Sequence, residues 1–176
     1  CCPIELCILS KKEKCKVPGL RELLIKLGKT IGKFFQIRDD YINLTSPAYW
    51  REKGFCQDLD EKKMSFVFVA LKDRDKDNST YKLLHQLDYV TIEWKLKIYT
   101  LLYDKDILSD TYSVLQQLQQ KILDTQHALV ALTSKDDASK DFIRFFYEKL
   151  PIEKPIHPSQ VSALLKKTSF IESNTK

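Results

Sequence analysis

Between Phe34 and Leu44 the chain reads Phe-Phe-Gln-Ile-Arg-Asp-Asp-Tyr-Ile-Asn-Leu, a run that sets adjacent carboxylates in an apolar background. At 100° per residue of a helix, Gln36, Asp39, Asp40 and Asn43 fall within roughly a 100° arc. Phe34, Ile37, Tyr41 and Leu44 point elsewhere, so the polar arc stands against a hydrophobic body. Adjacent carboxylates in apolar surroundings repel each other and lose hydration, a cost that a bound cation removes. A donor set made only of oxygens suits a hard divalent ion, most simply Mg²⁺. The run is therefore expected to form a metal site on the wall of a helix.

The same run is followed by Lys53-Gly54-Phe55-Cys56-Gln57-Asp58-Leu59 and by Lys63-Met64-Ser65-Phe66. In that order the three stretches resemble the second aspartate-rich region of trans-prenyl diphosphate synthases. The Asp-Asp-Tyr-x-Asn-Leu form is most similar to that of eukaryotic, fungal-like geranylgeranyl diphosphate synthases. The motif-level likeness runs from about Gly28 to Leu71, and beyond it only a helical pattern is shared. A lone Asp-Asp-x-x-Asn carries little weight; the ordered set carries much.

The resemblance implies an all-α fold, a partial isoprenoid-synthase helical bundle around a central cavity. It also implies a prenyltransferase of isoprenoid biosynthesis: Mg²⁺ bridges the carboxylates and an allylic diphosphate, the C–O bond ionises, isopentenyl diphosphate captures the carbocation, and a proton leaves. Metal ions and lysines would stabilise the charge that gathers on the departing diphosphate. By that likeness Asp39 and Asp40 are the metal pair, with Asp39 the direct ligand, and Asn43 is a weak or water-mediated ligand. Gln36 lies near the allylic group and the metal shell, Lys53 contacts the diphosphate, and Lys63 is the second diphosphate lysine. Lys53 and Gln36 are the residues expected to serve catalysis.

The chain opens at Cys1-Cys2-Pro3-Ile4 and its only methionine is Met64. Against the family pattern this corresponds to a carboxyl-terminal half: the first aspartate-rich motif, the Arg-Arg pair and the Lys-Thr pair are not in the sequence. Asp136-Asp137 does not replace them, because Thr-Ser-Lys before it and Ala-Ser-Lys after it read as an interhelix turn. Lys62 stands where the family usually has glycine, placing a side chain where the loop needs positive φ. Val67 stands where Ser-Phe-Pro is usual. The expectation is a segment inactive alone, a homodimer or a partner of an amino-terminal half. The alternative is a non-catalytic helical subunit that regulates a full-length prenyl synthase.

The elements that must position these groups are helical. Four glycines and almost no alternating apolar pattern argue against a sheet, while 176 residues with 43% hydrophobic content suffice for a core. A helix is expected from Leu20 to about Leu44, then a polar loop from Thr45 to Lys63. Helices follow from Ser65 to Leu71, from Thr80 to about Tyr103, from Ile107 to Leu132 and from Ala138 to Leu150. In the helix from Ile107 to Leu132, Gln116, Gln117, Gln119 and Gln120 are expected to face outward. Residues 1–150 would form the helical domain and 151–176 a proline-containing polar tail with a short helix from Ser159 to Lys167. Gly28 and Gly32 would let a neighbouring helix approach.

Net charge is +5 and the lysines are spread rather than blocked, which excludes the basic stripe of a nucleic-acid binder. No stretch is long and apolar enough to span a bilayer. Five cysteines, four of them in the first fifteen residues, follow no zinc spacing. They are expected to be free thiols in a reducing, cytoplasmic setting. His85, His127 and His157 are scattered and are expected to be surface or packing residues.

Overall fold

Leucines at positions 20, 23, 24 and 27, continued by Ile31 and Phe34, give one face of a long helix its apolar stripe. The computed structural model, which describes residues 18–74, 90–133 and 148–173, starts that helix (α1, Leu20–Thr45) just after Pro18-Gly19. Six more helices follow among the described residues: α2 (Pro47–Lys53), α3 (Gln57–Asp60), α4 (Phe66–Arg74), α5 (Ile92–Asp104), α6 (Ile107–Thr133) and α7 (Pro158–Ser173). No strand occurs among them. The fold is all-α, as the glycine-poor composition implied.

The chain divides into two compact units, Cys1–Gln36 with Val114–Ile152, and Ile37–Ser113 with Glu153–Lys176. The first takes most of α1 and α6. Its buried positions include Phe34, Leu115 and Ile122. Gln119 is buried in the same stripe, four residues after Leu115, so the expectation of four outward glutamines fails at that position. Gln116, Gln117 and Gln120 are exposed. Gly28 is buried. Among the described residues nothing lies within 4 Å of a Cβ built at Gly32, so close helix approach is not observed there.

The second unit holds Asp39, Asp40 and Asn43 together with the lysine-bearing segment. Its core is Tyr41, Leu44, Val67, Phe68, Leu71, Ile98, Tyr99, Leu102, Ile107, Leu108 and Val161. The Tyr41 hydroxyl donates to the Glu153 carbonyl at 2.7 Å and the Tyr99 hydroxyl to the Ile156 carbonyl at 2.6 Å. Those two phenols hold the segment entering α7, which packs on α5. Burial raises the pKa of both. Arg74 at the end of α4 bonds the Lys105 carbonyl and pairs with Asp110 at the start of α6.

Several boundaries differ from the sequence expectation for local reasons. The stretch Thr45 to Lys63 is not a plain loop: Ser46 caps α2 by accepting from the Tyr49 amide, Pro47 follows, and Gly54 ends the helix at φ 97°. Of the helix expected from Thr80 to about Tyr103, residues 80–89 lie outside the described residues; the described helix runs from Ile92, where the Thr91 hydroxyl accepts from the Trp94 amide. The tail helix starts at Pro158 and runs to Ser173, with the His157 ring accepting from the Ser159 amide. His157 also meets Tyr103 edge-on, as expected of a packing residue. Most of the helix expected from Ala138, together with Asp136-Asp137, His85 and four of the cysteines, lies outside the described residues. The remaining cysteine, Cys56, is a buried free thiol.

Candidate functional site

The last turns of α1 carry the two aspartates, and the structure separates them. Asp40 points inward, its side chain 3% exposed, and both carboxylate oxygens are used. Oδ1 accepts from Lys63 Nζ at 3.0 Å, and Oδ2 accepts from the Phe66 amide at 2.8 Å. The second contact caps α4 from another helix, satisfying an amide that the first turn leaves without a partner. The local serine does not do this, for the buried Ser65 hydroxyl makes no hydrogen bond. Asp39 points outward with a side chain 51% exposed; its oxygens lie 3.4 Å from the Tyr49 hydroxyl and 3.9 Å from Lys63 Nζ.

Opposite Asp39, α2 presents Tyr49 and, one turn later, Lys53. The Lys53 ammonium donates to the Tyr49 hydroxyl at 3.4 Å and stands 5.0 Å from the centre of its ring. That bond raises the lysine's pKa. Asp58 on α3 approaches Lys63 at 3.5 Å. Burial, opposed by the lysine, raises the Asp58 pKa. Desolvation pulls the Lys63 pKa down, but Asp40 and Asp58 together outweigh it and the net shift is upward.

Asn43 is buried behind this group. Its Oδ1 accepts from the Asp58 amide at 3.4 Å and its main-chain carbonyl accepts from Trp50 Nε1 at 3.0 Å. It ties α1 to α2 and α3. Gln36 is exposed on the same helix and belongs to the other compact unit.

Asp39, Tyr49, Glu52, Lys53, Gln57, Asp58, Glu61 and Lys63 together line a cleft of about 480 Å³. Four acids face two lysines there, a surplus of two negative charges. A bare polyanion would be repelled; a polyanion carrying a divalent cation would not. Among the described residues no three His, Cys, Asp or Glu side chains lie close enough to hold an ion by themselves. The donor set therefore fits Mg²⁺ bound jointly with an oxyanion, through one or two carboxylates and the anion's own oxygens. A larger cavity of about 690 Å³ between α2, α5 and α7 is lined chiefly by Trp50, Phe55, Leu96 and Leu165, and the lysine–aspartate cluster does not reach it.

Asp39, Asp40, Lys53 and Lys63, all expected from sequence, thus converge. Tyr49 and Asp58 were not anticipated. Both were readable in principle: Ser46-Pro47 is a helix start that puts Tyr49 one turn before Lys53, and Asp58 sits in the Gln-Asp-Leu that follows Lys53-Gly54-Phe55. Lys62 has φ 52°, so the loop does take positive φ there, with a lysine holding the left-handed position.

The polyprenyl synthetase family model matches residues 3–99. The chain is 35% identical over 127 residues to quiannulatene synthase of Emericella variicolor, covering 69% of this chain and 17% of that protein. To geranylgeranyl pyrophosphate synthase 2 of Gibberella fujikuroi it is 28% identical over 153 residues, 85% of this chain and 38% of the other. Over 46 residues it is 56% identical to geranylgeranyl pyrophosphate synthase A of Phomopsis amygdali, 26% of this chain and 12% of that one. The chain spans only a minor part of each relative. No described helix is long and apolar enough to cross a membrane.

Proposed function

Since the chain belongs to the polyprenyl synthetase family, we propose that it supplies the second acidic wall and the diphosphate-closing segment of a prenyltransferase of geranylgeranyl diphosphate synthase type. The observation that carries this reading is the charge of the cleft, two lysines among a surplus of carboxylates, which suits an oxyanion that carries a divalent cation, such as magnesium diphosphate. Asp39 is the direct metal ligand, with Asp58 beside it; Asp40 stays behind as the group that fixes Lys63 and caps α4. When bound, Mg²⁺ would neutralise the carboxylates and draw charge from the ester oxygen of an allylic diphosphate.

The chain's own groups do the rest. Lys53 and Lys63 hold the oxygens that gain charge as the C–O bond breaks, an interaction stronger in the transition state than before it. Tyr49 positions Lys53 by accepting its hydrogen bond, and Gln36 orients the allylic end. In the product-forming step the double bond of isopentenyl diphosphate captures the cation, and loss of a proton from the resulting cation restores the alkene. On its own this cleft accounts for holding a diphosphate. The proposed setting is the cytoplasm, within a homodimer or in association with an amino-terminal half. Likeness to quiannulatene synthase, of which the matched stretch is 17%, favours a second reading, in which the same segment works inside a longer synthase of that kind.

Calorimetric titration of the chain with pyrophosphate, with and without Mg²⁺, tests the proposal. Binding that requires Mg²⁺ and is lost in Asp39→Ala is expected. Equal, weak heats with and without the metal would sink it and leave the non-catalytic subunit as the better account.

A further inference from the structure

The backbone between Lys53 and Lys63 is unusual. Gly54, Cys56 and Lys62 have φ of 97°, 51° and 52°. Left-handed conformations at residues other than glycine persist only where the surroundings enforce them. Between them α3 is a single turn, too short to sustain itself. Something outside the loop must hold it.

That something lies on α5. Lys95 is buried, and its ammonium donates to the Phe55 carbonyl at 2.9 Å and to Asp60 Oδ2 at 2.5 Å. Phe55 precedes the Cys56 that begins α3, and Asp60 ends it, so one cation grips the turn at both ends. The Phe55 ring packs edge-on against Trp50 at 4.9 Å and lies 6.3 Å from Tyr99, which keeps the carbonyl aimed at the lysine. Lys95 does not line the acidic cleft. A buried lysine is costly unless its charge is matched and its hydrogens are taken up, and both of these partners come from the segment that spaces the two cleft lysines.

We infer that Lys95 is a positioning residue for the proposed diphosphate site: by clamping Phe55 to Asp60 it fixes the backbone that sets Lys53 and Lys63 apart. The inference rests on the proposed function only in what the cleft binds. The clamp itself has a separate readout, because Cys56 lies inside it and is buried.

The test compares the parent chain with Lys95→Met, Lys95→Arg and Asp60→Asn. Lys95→Met is expected to weaken magnesium pyrophosphate binding about tenfold or more, in line with losing charged hydrogen bonds. Alkylation of Cys56 by iodoacetamide, followed on its own peptide by mass spectrometry, should accelerate by about the same factor as the loop opens more often. Lys95 also pulls the Cys56 pKa down against the larger upward effect of burial. Removing its charge therefore makes the thiol intrinsically less reactive, and a faster rate can only report exposure. Lys95→Arg should recover much of both properties, and thermal unfolding of each variant should stay cooperative.

Parental affinity together with a parental Cys56 rate in Lys95→Met overturns the inference. If Lys95→Met does not fold, Asp60→Asn decides, since it cuts only one of the two grips at a half-exposed carboxylate; an unchanged Cys56 rate there is equally fatal. Should the parent itself fail to bind magnesium pyrophosphate, the reading of the cleft falls, and the alkylation rates still decide the role of Lys95.

Discussion

Replacing Asp40 separates what the two adjacent carboxylates do. In Asp40→Ala the Phe66 amide loses its acceptor and Lys63 loses its nearest partner. The ammonium is 35% exposed and still has Asp58 at 3.5 Å and Asp39 at 3.9 Å, so it is not stranded. The full cost of about 3–5 kcal/mol for breaking a buried pair therefore does not apply. An uncapped first turn costs about 1 kcal/mol and a charge-assisted hydrogen bond about 1.5–3 kcal/mol, which places Asp40→Ala near a 3 kcal/mol loss. Asp40→Asn keeps an acceptor for the Phe66 amide and should lose about 1 kcal/mol. Asp39→Ala, at a half-exposed carboxylate with longer contacts, should lose about 0.5 kcal/mol or less. For ligand binding the order reverses: Asp39→Ala abolishes magnesium-dependent pyrophosphate binding, while Asp40→Asn retains most of it. Urea unfolding with linear extrapolation gives the first series and calorimetry the second. If Asp39→Ala destabilised as strongly as Asp40→Ala, or if Asp40→Asn kept its stability and lost the metal-dependent binding, the assignment of roles would be wrong.

Lys62→Gly relaxes a left-handed residue and should stabilise the chain by about 0.5–1 kcal/mol in urea, whereas Lys62→Ala, which keeps a Cβ at that φ, should not. Tyr49→Phe removes the hydroxyl between Asp39 and Lys53; unfolding should be unchanged, and pyrophosphate affinity should fall roughly threefold to tenfold, consistent with one hydrogen bond. The folded pKa of Lys63 lies above its ordinary 10.5, so its contribution is complete below that value and is lost as pH rises through the folded value. Unfolding free energy measured at increasing alkaline pH should therefore fall more steeply in the parent than in Lys63→Met; parallel curves would contradict the pairing.

The sequence was informative where one pattern sufficed. The stripe from Leu20 to Phe34 and the apolar set around Ile122 each define a helix to within a residue or two, because burial of one face decides the matter. The acidic pair was also visible, yet its split into an inward Asp40 and an outward Asp39 was not. That split depends on the Phe66 amide arriving from 26 residues away, and helical spacing carries no such information. The same holds for Gln119, whose burial follows from what packs beside it rather than from its polarity. The region from Thr45 to Lys63 was misjudged for a different reason. Its helices are short, and caps at Ser46 and Gly54 hold them more than hydrophobic period does. Lys95 reads as an ordinary polar position within α5, and only the fold shows the carbonyl and carboxylate it meets.

Trp50 donates its indole hydrogen to Asn43 on the acid-bearing helix and rests against Phe55 at the root of the lysine-bearing segment. The only other tryptophan, Trp94, lies partly open beneath the Lys97 ammonium. One fluorophore is enclosed at the junction and the other is wetted, so iodide should quench them unequally. The unlabelled molecule thus carries its own optical gauge: a blue-edge emission change on adding anion would report tightening at that junction, in real time and without a probe.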